Sequence, residues 1–121
     1  DAAASGDYFA EARQNRQKAR QEALDVLKDV INNVKADEAS KKDAVSKSAL
    51  IASQADTEAK IENLVKAKGF KDCVAVLGDA DANVVVKTEK DLIESEVAQI
   101  KDIVMAQSKV SAENIKIVPV K

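Results

Sequence analysis

The stretch Asp79-Ala80-Asp81-Ala82-Asn83 sets oxygen-bearing side chains at alternate positions, the opening pattern of a loop that wraps a hard cation such as calcium. The rest of that loop is missing. Its sixth position, where the sharp turn needs Gly, is Val84, and its twelfth, which supplies a bidentate Glu, is Lys90. The stretch therefore reads as a polar turn. Cys73 is the only thiol, and a nucleophilic thiol needs a His or a positive site to hold its thiolate, whereas the chain has no His at all. Cys73 reads as a small apolar strand residue that cannot form an intrachain disulfide. Glu58, Glu62, Glu94 and Glu96 could pair as acid and base, but each falls in a helical stretch where a solvated polar face is expected. No catalytic residue, metal ligand or cofactor site follows from these patterns, and the chain is not expected to be an enzyme.

Arg13, Arg16, Lys18 and Arg20 make one segment locally basic, diluted by Glu11 and Glu22. With spacings of three, two and two, they do not fall on one helical stripe, so they read as a solvated or partner-contacting surface rather than a phosphate-binding face. Composition points the same way. Nineteen Lys and Arg against 21 Asp and Glu leave a net charge of −2, so no bulk field draws in a polyanion, and one Tyr, two Phe and no Trp nearly exclude base-stacking platforms.

The elements that carry these residues follow from periodicity. From Tyr8 to about Asn33 the chain has neither Gly nor Pro and is rich in helix formers. Its first half is almost wholly polar, while Leu24, Leu27, Ile31 and Val34 recur at three and four in the second half. Asn32-Asn33 is a helix stop, Asp37 a cap for a second helix running to about Lys68, and Gly69 its terminator. Leu50, Ile61, Leu64 and Val65 form that helix's seam. Strand-like composition follows: Cys73–Leu77 and Asn83–Lys87 flank a turn and predict a hairpin. Thr88 with Asp91 resembles a capping box before a helix whose stripe is Ile93, Val97, Ile100 and Val104. Ile115 and Ile117 alternate with Lys116 in a last strand that Pro119 ends or confines to an edge.

At 121 residues with 45% apolar content, this is one modest core. The expected fold is α+β: a long N-terminal helical extension over 1–36, then a two-layer helix-strand-strand-helix-strand unit over 37–121 with a small three-stranded sheet. Its expected core is Leu64, Val84, Val86, Ile93, Val97, Ile100, Val104, Ile115 and Ile117. The last strand could lie beside either hairpin strand, and both arrangements leave two exposed edges. No run approaches 18 apolar residues, so no membrane span is expected within the chain.

The run Tyr8-Phe9-Ala10-Glu11-Ala12-Arg13, continued by Arg16, Ala19-Arg20 and Glu22-Ala23-Leu24, resembles the opening of the extracytoplasmic domain of the stage III sporulation protein AH family. The similarity continues through Ile61-Glu62, Lys68-Gly69-Phe70, Val84-Val85-Val86, Gln99 to Val104 and Asn114 to Ile117. It implies a ring-building motif shared with ring proteins of type III secretion systems and flagellar basal bodies. It also implies a membrane anchor upstream, a place between the mother-cell and forespore membranes of an endospore former, and stage II sporulation protein Q as partner in an intermembrane channel or adhesion complex. A homo-oligomeric ring is the assembly the motif implies. Tyr8, Phe9, Arg13, Arg16 and Arg20 lie off the apolar seam of the first helix and are the candidate partner contacts, on a half-helix expected to project or to lead back to the anchor. The alternative is a K-homology-like nucleic-acid-binding domain with the same element order. Its Gly-x-x-Gly clamp is absent: three residues after Gly69 stands Asp72, and three after Gly78 stands Asp81.

Overall fold

The computed structural model describes residues 2–121, with side chains from residue 8 onward. Two long helices come first, α1 (Ala2–Asn32) and α2 (Glu38–Ala67). Strands β1 (Asp72–Leu77) and β2 (Ala82–Lys87), helix α3 (Glu94–Gln107), a short 3-10 turn (Ala112–Asn114) and strand β3 (Ile115–Val120) complete the chain. Asp37 caps α2, its carboxylate accepting from the Ser40 N–H at 2.7 Å. Gly69 ends it with a φ of 109°, a conformation in which a Cβ would be strained.

The sheet order is β1-β2-β3: β1 and β2 form the antiparallel hairpin, and β3 runs parallel to β2 after the α3 crossover. One face carries Cys73, Ala75, Ala82, Val84, Val86 and Ile115, which pack with Ile61 and Val65 of α2 and Ile100 and Val104 of α3 into the main core. This is the two-layer α+β arrangement expected from the alternating strands and the helical stripes.

Within that frame several expected positions move. Ile93 is 61% exposed because it is the residue before α3 begins, where its backbone N–H donates to Glu96 Oε1 at 3.0 Å. The cap role expected of Thr88 is not filled. Its hydroxyl instead donates to the Lys90 carbonyl in the preceding turn. Leu64 is also exposed, on the α2 flank beside α3 rather than under the sheet. Val97 and Ile117 are half-buried, Ile117 packing against the core cluster. Val34 is 90% exposed because α1 has already ended at Asn32.

The largest departure concerns α1. Its polar half does not project. It runs along β1 and the C-terminal half of α2, while the Leu24, Leu27 and Ile31 half, only partly buried, extends with the start of α2 beyond the sheet. Gln54 Nε2 reaches the Gly78 carbonyl, so the sheet ends at the level of Gln54. The stretch Glu38–Ser53 of α2 continues past it for about 24 Å.

Candidate functional site

Strands alternate the direction of their backbone polar groups, and each edge strand therefore presents every second N–H and C=O to whatever lies outside the sheet. On β1 those residues are Cys73, Ala75 and Leu77. Here the outside is filled by charged side chains. The Ala75 N–H donates to Glu62 Oε2 and the Leu77 N–H to Glu58 Oε2, both at 2.8 Å. The Cys73 N–H is taken by the carboxylate of Asp72 at 2.8 Å. Arg16 donates to the Ala75 carbonyl at 2.7 Å and to Glu62 at 2.6 Å, Arg20 donates to Glu58 at 2.6 Å, and Arg13 holds both Asp72 and the Cys73 carbonyl.

The ladder is built by helical spacing. Arg13, Arg16 and Arg20 lie three and four apart on α1, Glu58 and Glu62 four apart on α2, and the antiparallel helices bring the two rows opposite one another. Glu58 is 1% exposed, yet both of its oxygens are used, and no buried side-chain N or O among the described residues lacks a partner. Phe9 is buried and meets Tyr8 edge to face at a centroid distance of 5.7 Å, while the Tyr8 side chain remains exposed. Val74 points to the face opposite the core by strand alternation and is nevertheless buried, with α1 beside its strand.

Thus, of the candidate partner contacts, Arg13, Arg16, Arg20 and Phe9 are engaged by the chain's own β1 and α2 or buried, and Tyr8 alone stays open. Glu58 and Glu62 are not the solvated carboxylates their helix suggested. The signal was present: dropping Lys18, which is exposed, from the basic set leaves a three-and-four stripe.

The other edge is open. The Thr88 N–H donates to the Val120 carbonyl at 3.0 Å, so Lys116, Val118 and Val120 turn their polar groups toward β2. Ile115, Ile117 and Pro119 face outward. Pro119 has no N–H and the Ile115 N–H is spent on Ala112 O, so this edge offers carbonyls at three residues and one donor, at Ile117.

Burial pushes the Cys73 thiol up to about 12, reinforced by the carboxylates of Glu62 and Asp72, which makes it a poor nucleophile. Among the described residues no three His, Cys, Asp or Glu side chains gather to hold a metal ion, and no helix is long and apolar enough to cross a membrane. The Asp79–Asp81 stretch closes the hairpin, the Gly78 N–H donating to the Asp81 carbonyl at 2.9 Å.

The family profile described as SpoIIIAH-like protein matches residues 1–117. A structure entitled a SpoIIQ-SpoIIIAH pore forming complex contains a chain that superposes with a TM-score of 0.79 at 21% identity, covering 93% of this chain and 98% of that one. The type III secretion system protein EscJ of enteropathogenic E. coli superposes with a TM-score of 0.55 at 26% identity over 61% of this chain, which spans about half of EscJ (50%). No curated protein sequence matches significantly.

Proposed function

We propose, for a chain that belongs to the SpoIIIAH-like protein family, that it is a non-enzymatic, extracytoplasmic assembly module. It pairs with SpoIIQ in the space between mother cell and forespore and builds a ring through its ring-building-motif fold. The observation that carries this reading is the unequal treatment of the two sheet edges. Six charged side chains occupy the β1 edge, whereas β3 presents a short row of carbonyls with no hydrogen-bond partner among the described residues. A sheet with one closed and one open edge offers another chain a single, directional place for strand addition. Membership of the SpoIIIAH-like family and the likeness to a chain of a SpoIIQ-SpoIIIAH complex support SpoIIQ as the partner, and the fold shared with EscJ supports a ring-building module. The arginines of α1 neutralise carboxylates of the chain itself, which leaves the K-homology-like alternative without a basic face there. The test is to mix the chain with the SpoIIQ extracytoplasmic domain and weigh the product by light scattering. A heterocomplex supports the reading, and two unassociated monomers at high concentration would refute it.

A further inference from the structure

The helices α1 and α2 outrun the sheet, and the faces they would have laid on it are left without a floor. Ala23, Val26 and Leu27 of α1 and Leu50 and Ile51 of α2 line a groove of about 740 Å³ beneath this overhang. Val26 is 63% exposed and Leu50 48% exposed, so two of these apolar side chains face water in the single chain, while Leu27 and Ile51 are half-buried. Two charges close the groove. Lys47 stands at the end toward the helix tip and Asp79 at the end toward the sheet, level with Gln54.

Leu50 lies between Lys47 and Gln54 on α2, among the residues that line the groove. A two-fold axis through that point turns the groove end for end. Such an axis near Leu50 would bring the two Leu50 side chains together and turn the Lys47 end of each copy toward the Asp79 end of the other, once in each direction. Lys47 now pairs only with Asp43, an exposed contact within one helix that exchanges at little cost, and Asp79 forms no salt bridge among the described residues. We infer that this overhang is a dimerisation surface, on which two copies of the chain pack arm to arm as an antiparallel four-helix bundle with an apolar centre and paired charges at each end. The contact is separate from the β3 edge, and it does not depend on the SpoIIQ reading.

The test is light scattering of the whole chain from micromolar to near-millimolar concentration, with variants at exposed positions. The chain should move from monomer to dimer, and Leu50→Lys should weaken association at least ten-fold while leaving the melting curve unchanged. Lys47→Asp and Asp79→Lys should each weaken it, and the double exchange should restore it. Leu50→Cys should form a disulfide-linked dimer under mild oxidation, since Cys73 is buried and cannot compete. A wild-type chain that stays monomeric throughout overturns the inference, as does a dimer that survives Leu50→Lys. Loss of SpoIIQ binding by Leu50→Lys in a monomeric chain would also overturn it, by giving the groove to a different occupant.

Discussion

Glu58 is a carboxylate buried at the junction of three elements, and its position makes a specific demand: Arg20 from α1 and the Leu77 N–H from β1 must both be present to hold the charge out of water. Breaking such a pair from one side leaves an uncompensated partner. Glu58→Ala should therefore cost about 3–5 kcal/mol in denaturant unfolding, while Glu94→Ala, on an exposed first turn, should cost far less. Equal costs would show that the ladder carries no stability. Cys73 makes a second demand through its proton. The folded thiol titrates near 12 against 9.0 for the free group, so the unfolded chain ionises first as pH rises. Its contribution is full below pH 9 and is lost between about 9 and 12, with a slope of up to about 1.4 kcal/mol per pH unit. Comparing wild type with Cys73→Ala across that range isolates this from the lysines, and parallel curves would contradict it. At this scale the sequence was legible where a side chain's role is apolar. Where a charged residue serves a backbone group far along the chain, as Arg16 serves Ala75, the sequence alone does not show which strand edge will lie beside it.

Helix α3 was legible as an element because its apolar positions recur with a helical period and its neighbours are polar. Ile100 and Val104 are wholly buried in the core formed with β2 and α2. Ile100→Ala should cost about 2–5 kcal/mol from lost transfer energy and a residual cavity, and an unchanged melting midpoint would mean that this stripe is not the packing face. The beginning of α3 was misread by one turn chemistry against another: Thr88 bonds within its own turn, and Glu96 reaching back to the Ile93 N–H does the capping. Helix α1 shows a more general limit. Apolar periodicity identifies the half that packs against oil-like surfaces, and by that signal the Leu24 to Ile31 half belonged to the body. A strand edge is a polar surface, so the half that seals it is polar. Deleting residues 1–20 should therefore lower the melting temperature and expose the β1 edge to aggregation, measured by light scattering on heating. A truncated chain as stable and monodisperse as the full one would show that the edge tolerates water without α1.

For the whole molecule, the decisive property is polarity in the sense of direction: a sheet closed on one side and open on the other, with a helical arm extending past its end. Order of elements and fold class followed from the sequence, because strand alternation and helical stripes are local. Strand order and the state of each edge did not, since they depend on pairings tens of residues apart. In the proposed assembly SpoIIQ adds to the open β3 edge while the β1 edge stays sealed by its own chain. Amide hydrogen exchange of the chain, alone and with the SpoIIQ extracytoplasmic domain, tests this directly. The Ile117 amide, which faces outward from β3 in the single chain, should become protected in the complex, while the Ala75 and Leu77 amides, already bound by Glu62 and Glu58, should exchange at unchanged rates. Unchanged exchange at Ile117 in a formed complex, or new protection confined to Ala75 and Leu77, would contradict it.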